Sequence, residues 1–260
     1  MNSNSTDTVH AGRRRALVLG GTSGLGNAVA RALIDSGSEV TITGRDLERT
    51  WDIAREIGAS AAQLDLTNAE SLKSFLPVIS EIRPDQLILN SGGPAPASAI
   101  AISSDDVRRS LEFLLHSQID IVAAAIAAMK AQGWGRIVAI GSSGVQQPIP
   151  ALALSNIGRA ALAAYLKSLA VDVAALGVTV NMVLPGRIAT SRVTTLDSSA
   201  AAASNRSATE VRAESEASIP TQRYGTPREF ASAVAYLCSE GASYVTGEQL
   251  RVDGGLIRHY

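Results

Sequence analysis

The stretch "RALVLGGTSGLGNAVARALIDSG", residues 15–37, decides the fold. "RALVLG" (15–20) is a short apolar run that stops at glycine, as a buried parallel strand does. "GLGNAVARALIDSG" (24–37) then sets Leu25, Val29, Ala32 and Leu33 at helical spacing and stops at Gly37. Where strand gives way to helix, Gly20, Gly24 and Gly26 form G-x-x-x-G-x-G. Gly20 permits a sharp turn. Gly24 and Gly26 let backbone and ligand come close at the helix N-terminus, where free N–H groups and the helix dipole favour a pyrophosphate. Thr22 and Ser23 either add hydroxyl donors to that ligand or cap the helix.

The rest of the chain repeats the same alternation. "EVTITG" (39–44), "SAAQLD" (60–65), "DQLILN" (85–90), "GRIVAIGS" (135–142), "VTVNMVL" (178–184) and "EQLRVDG" (248–254) read as strands. Helical patterns cover about 104–131, 151–176 and 228–239. The expectation is one α/β domain over 15–260, a Rossmann-type doubly wound, mostly parallel sheet with helices on both faces. Residues 1–14 read as a flexible tail, with Arg13, Arg14 and Arg15 in solvent or forming an anion patch. The segment 191–219 is rich in Ser, Ala and Thr with weak periodicity; it is either a substrate lid or a loosely packed surface helix pair.

Composition narrows the partners. A net charge of −1 gives no global field to recruit nucleic acid or an acidic membrane. No uncharged apolar run reaches the roughly 18 residues of a membrane span, and the N-terminus lacks the apolar core of a signal peptide, so a cytoplasmic location is the expectation. Cys238 is the only cysteine; it forms no internal disulfide and reads as a small buried residue. No metal-ligand cluster is legible.

The end of the second strand discriminates the cofactor. A carboxylate there would accept from the ribose 2′-hydroxyl of NAD and repel a 2′-phosphate. This chain has Gly44 and then Arg45, whose fork can grip a phosphate, so NADP(H) is expected. Asp46, next along, is the competing feature. Asp65 either accepts from the adenine amino group or caps the following helix.

"GGTSGLG" (20–26), "DL" (65–66), "NSGG" (90–93), "GRIVAIGSS" (135–143), "VNMVLPGRIAT" (180–190) and "YVTGEQLRVDGG" (244–255) match, in order and spacing, the short-chain dehydrogenase/reductases over about residues 14–257. The chain resembles a divergent branch near the bacterial 3-oxoacyl-(acyl carrier protein) reductases. The resemblance implies a seven-stranded sheet, a small-molecule substrate and a homotetramer or homodimer. It implies that Leu25, Leu66, Asn90 and Gly92 border the cofactor, with Asn90 steadying the central strand. It also implies that Pro185, Gly186, Ile188 and Thr190 hold the nicotinamide amide.

The family's usual catalytic set is Asn, Ser, Tyr and Lys. Here Ser142 keeps the serine place, with Ser143 a weaker occupant. Thirteen residues on, Ser155 stands for the tyrosine; four further, Arg159 stands for the lysine; Leu114 takes the asparagine place. Tyrosine passes a proton to a developing alkoxide, aided by the neighbouring cation. Serine is a weaker acid, and arginine does not give up a proton. Arg159 can still hold cofactor ribose hydroxyls, a substrate carboxylate or an oxyanion. Tyr165 and Lys167 lie off its helix face, and His116 lies off the face of Leu114. Ser117 and Gln118 share the face of Leu114 and can support a water chain; Tyr224 either reaches the substrate or is structural. Three functions remain open: an NADPH-dependent carbonyl reductase, a non-redox isomerase or cyclase that keeps the cofactor as scaffold, and a silent NADPH-binding protein.

Overall fold

In the computed structural model, which describes residues 12–259, β1 (Arg15–Val18) lies between β2 (Glu39–Gly44) and β4 (Gln86–Leu89). β3 (Ser60–Gln63) flanks β2. On the other side follow β5 (Gly135–Ile140), β6 (Val178–Pro185) and β7 (Gln249–Val252), giving the order β3-β2-β1-β4-β5-β6-β7 with every pair parallel. The winding direction reverses between β1 and β4. A crevice opens there at the carboxyl edge, where ligands of such sheets bind.

The helices are α1 (Gly24–Asp35), α2 (Leu47–Ile57), α3 (Ala69–Ile82), α4 (Ser104–Leu111), α5 (Ser117–Gln132), α6 (Ala153–Val173), α7 (Ser191–Ser204), α8 (Ala208–Ser218) and α9 (Pro227–Leu237). Strand alternation divides the core into two faces. Leu17, Leu87, Leu89, Ile137 and Val180 meet Ile79 of α3, Ile121 and Met129 of α5, and Leu162 and Leu166 of α6. Ala16, Val18, Ile42, Ile88 and Val138 meet Val29 and Leu33 of α1, Ala54 of α2, and Phe230 and Val234 of α9. β5 is buried along its whole length, which explains its unbroken apolar reading.

Several boundaries shift for physical reasons. The expected helix over 104–131 is continuous but carries a π-helical turn at Glu112–His116. Such a turn frees a carbonyl, and here the Phe113 oxygen accepts from the Ser117 hydroxyl (3.1 Å) and Gln118 Nε2 (3.1 Å). Both side chains thus bond the backbone, and Gln118 Oε1 stays buried without a partner among the described residues. Ser104–Gln132 runs 29 residues and contains an 18-residue window of mean hydropathy 1.5, long and apolar enough by composition to cross a membrane; one face of the helix lies on the sheet. The segment 191–219 forms the helix pair α7–α8, whose second member is started by a Ser207–Glu210 capping box. Cys238 is buried, which pushes its thiol up to about 12.

Residues 1–11 of the expected tail lie outside the described residues. Arg14 is not solvated as expected: it stacks 3.7 Å over Trp134, whose other neighbour is the buried Arg136 at 4.2 Å, and it donates to Glu240 at 2.9 Å. An indole attracts cations to its faces, and Glu240 offsets their charge.

α1 reaches the end of β1 so closely that a Cβ on Gly26 would strike the Gly20 carbonyl oxygen. Gly26→Ala is expected to cost about 1–3 kcal/mol through overpacking. In urea unfolding this reads as a lower midpoint at unchanged slope.

Candidate active site

The turn from β1 into α1 is built for close approach. Gly20 and Gly24 hold φ of 60° and 56°, left-handed values that suit glycine. Asn90, just past β4, donates from Nδ2 to the Leu19 oxygen (3.1 Å) and the Gly20 oxygen (3.4 Å), tying the two central strands together above the crevice. Ser23 is the N-cap of α1 and Thr190 the N-cap of α7, and neither side chain satisfies its helix terminus. The two ends converge: a Cβ on Gly24 would sit 3.9 Å from the Thr190 methyl. Two uncapped N-termini facing one space favour an anion. Leu25 is half-buried beneath the turn, and the Thr22 methyl lies where a Cβ on Gly44 would need to be.

Beyond β2, Arg45 is exposed and its guanidinium has no acidic or hydrogen-bonding partner among the described residues. The Asp46 carboxylate, next along, accepts from Arg49 N–H (3.0 Å) and caps α2. Asp65 does not cap α3; Asn68 does. The Asp65 carboxylate instead accepts from the Thr67 hydroxyl (2.7 Å) and N–H (2.9 Å). Those bonds, with Arg45 nearby, hold its carboxyl below the ordinary value against the opposing effect of burial. Leu66 beside it is half-buried, and Gly92 stands exposed past β4.

At the carboxyl end of β6, Gly186 N–H donates to the Val252 oxygen (3.0 Å), and a Cβ there would press on Asp253. Ile188 is buried and bridges to Gly225, so the loop from Pro185 to Thr190 is held from both sides.

The sequence-predicted centre comes together at the ends of β4 and β5. Arg159, on α6, is 9% exposed. It donates from Nη1 to the Ile140 oxygen (2.9 Å), from Nη2 to the Ser91 oxygen (3.4 Å) and from Nε to the Ser155 hydroxyl (3.3 Å). Burial, and secondarily the like charge of Arg192, lower its pKa to about 10, so it remains a cation at neutral pH. Ser142 begins a tight turn and its hydroxyl accepts from Gly144 N–H (3.0 Å), leaving the hydroxyl proton to donate elsewhere. Ser143 is buried, so Ser142 is the accessible one of the two. Leu114 packs on Gly158, where a Cβ would be 2.5 Å from its Cδ1.

The other candidates lie elsewhere. Lys167 donates to the Gly247 oxygen (2.9 Å), Tyr165 is raised by burial, and His116 sits on the surface beside Glu112 at 3.2 Å. Tyr224 donates to Asp197 (2.9 Å).

Sequence reasoning missed three contributors. Asn156, inside "SNIGR", bonds both the N–H and the oxygen of Ile149 and pins the loop after Ser142. Ala151 holds φ of 59°, a strained value for alanine, where the chain enters α6 and bonds Ala97. Arg192 donates to the Pro94 oxygen (3.3 Å). None has a signature of spacing; only an asparagine at a helix entrance hinted at a loop bond.

Asp197 is buried on α7 and accepts from Tyr224 and from Arg187 (3.1 Å), fastening the helix pair to the loop that follows β6. Asp197→Ala leaves a buried tyrosine hydroxyl without its acceptor. We expect about 1–3 kcal/mol of destabilisation and faster proteolytic cleavage within 191–219, read by mass spectrometry of limited digests.

A family model described as Enoyl-(Acyl carrier protein) reductase matches residues 20–257. The 3-oxoacyl-[acyl-carrier-protein] reductase FabG of Aquifex aeolicus (strain VF5) is 33% identical over 250 residues, covering 93% of this chain and 96% of that protein. The corresponding reductase of Rickettsia bellii (strain RML369-C) is 31% identical over 244 residues, again 93% of this chain and 96% of its own. Among solved structures, YwfH, described as an NADPH dependent reductase involved in bacilysin biosynthesis, superposes with a TM-score of 0.89 at 28% identity, covering 96% of this chain and 100% of that one. An actinorhodin polyketide ketoreductase with NADPH gives 0.88 at 28% identity, covering 95% and 98%. With the motifs, the sheet order and these likenesses together, the chain belongs to the short-chain dehydrogenase/reductase family of oxidoreductases and resembles its 3-oxoacyl-[acyl-carrier-protein] reductases.

Proposed function

We propose that the chain is an NADP(H)-dependent reductase of a carbonyl or related group, in which Ser155 and Arg159 replace the family's tyrosine and lysine. The observation that carries this reading is Arg159, a buried cation bonded to Ser155 at the ends of β4 and β5. The similar proteins described as NADPH dependent support the same cofactor.

The residues present fit a dinucleotide. Its pyrophosphate would lie against the Gly20–Gly26 turn, between the uncapped ends of α1 and α7. Arg45 would hold a 2′-phosphate, and Asp65 and Leu66 would border the adenine. Asn90, Gly92 and the loop from Pro185 to Thr190 would border the nicotinamide half. When bound, the cofactor supplies hydride.

The chain's own residues hold the oxygen on which charge develops. The Ser142 and Ser155 hydroxyls each accept one bond from the protein and keep a proton to donate outward. Arg159 adds a fixed positive charge in a site where charge is weakly screened. Arginine does not release its proton, and Leu114 offers no polar group for a relay, so water delivers the proton. The exposed apolar residues of α6, Ile157 and Val171, support a homo-oligomer through its long helices.

Two outcomes test the reading. NADPH is expected to bind more tightly than NADH, and Arg45→Ala to remove about tenfold to a hundredfold of that preference, measured by fluorescence titration. Equal affinities in the unaltered chain would reject the cofactor assignment. In a carbonyl panel followed at the absorbance of NADPH, Arg159→Ala is expected to lower turnover by about 10²–10³, and Ser155→Ala by about tenfold or less. Thermal melts separate lost chemistry from lost folding. The reverse order would make the serine the acid.

A further inference from the structure

We infer that the substrate carries a carboxylate on the carbon beside the group being reduced, and that Arg159 and Arg192 hold it together. The inference rests on the reductase reading for the position of the reacting group. Its own support is a pair of cations to which no carboxylate pairs among the described residues.

Arg159 is more than nine-tenths buried, yet its three hydrogen bonds go to two backbone carbonyls and a hydroxyl. These acceptors are dipoles and do not cancel its charge. No Asp or Glu pairs with it among the described residues, and a buried charge without a counter-charge is costly. Arg192 adds to the imbalance. It donates from Nη2 to the Pro94 oxygen, three residues along the same loop from the Ser91 oxygen that Arg159 uses. Gly93 makes this possible, since a Cβ there would be 2.5 Å from Arg192 Nη2. The buried acid on its own helix, Asp197, is already taken by Arg187 and Tyr224. The cofactor does not answer the need, because in the proposed reading its pyrophosphate lies at the Gly20–Gly26 turn.

A guanidinium has five N–H donors in a planar fork that matches a carboxylate. Arg159 spends three of them on the protein and Arg192 one, so donors remain on both. Ser155 touches Arg159 and stands where the reacting oxygen is expected. An anion held by Arg159 therefore lies close to the reacting carbon. A directly attached carboxylate meets that limit. A phosphate ester interposes an oxygen and a phosphorus and places its charge further out.

The test is calorimetric titration of the full chain with oxamate, with its neutral counterpart oxamide, and with inorganic phosphate, each with and without NADP+. Saturable oxamate binding is expected, with oxamide not binding and phosphate weaker than oxamate. R192A should weaken oxamate about tenfold to a hundredfold while its NADPH affinity stays that of the unaltered chain. R159A should weaken oxamate as much; if it fails to fold, R192A alone decides. Oxamide binding as well as oxamate, phosphate binding more tightly, no saturable oxamate binding, or an unchanged R192A would each overturn the inference. A chain that binds oxamate through Arg192 but does not bind NADPH would sink the reductase reading and leave this site standing.

Discussion

The contact between Gly26 and the Gly20 carbonyl sets the geometry of the carboxyl edge. It brings the N-terminus of α1 against the end of β1. Asn90 then crosses from β4 to bond the Leu19 and Gly20 oxygens. The two strands at which the winding reverses are thereby locked at one height. Everything polar in the crevice is measured from that level: Ser91 and the loop to Pro94 on one side, Ile140 and Ser142 on the other. Without the bare Cα at Gly26, the helix would stand off and the anion-favouring end of α1 would leave the crevice.

Arg159 makes a second lock at the same edge. A lysine ammonium is a compact charge on a flexible stem, whereas the arginine fork has fixed directions. Here those directions bond the Ile140 oxygen of β5 and the Ser91 oxygen after β4. The exchange of cation thus changes more than acidity, because it joins two neighbouring strand ends by one side chain. The shorter Ser155 keeps contact with that cation. Leu114 packs on Gly158, on the same face of α6 as Ser155 and Arg159. In the proposed reading, the three departures from the usual catalytic set are consistent with one another, each removing part of a proton relay while the site retains charge and donors.

Where local pattern alone determines structure, the sequence was readable. β1, its glycine turn and α1 follow from burial and helical spacing. β5 follows from an apolar run that is buried on both faces. Ser155 and Arg159 were expected on one helix face, and they bond each other. Long-range partners were not readable. Arg192 and Asp197 lie in a stretch with no period, and their roles depend on Pro94, Arg187 and Tyr224, distant in sequence. The π-helical turn was invisible because its one extra residue leaves the apolar pattern nearly intact. Arg14 read as solvated because a cation's stacking partner, Trp134, is supplied by another part of the chain. Asp46 and Asp65 were ambiguous because a carboxylate after a strand serves a helix, a turn or a ligand equally well; the choice rests on which N–H groups the fold brings near.

The stack of Arg14, Trp134 and Arg136 lies at the opposite, amino edge of the sheet, where β5 begins. The chain has two tryptophans, and the other, Trp51 on α2, is half exposed to water. Their light emission therefore reports different things. Trp51 senses solvent at the outer flank near β3, and Trp134 senses a pair of charges, one carried just before β1 and the other by β5, on either side of β4. The protein thus carries a built-in optical gauge of its base, remote from the crevice, against which changes at the carboxyl edge can be judged local or global.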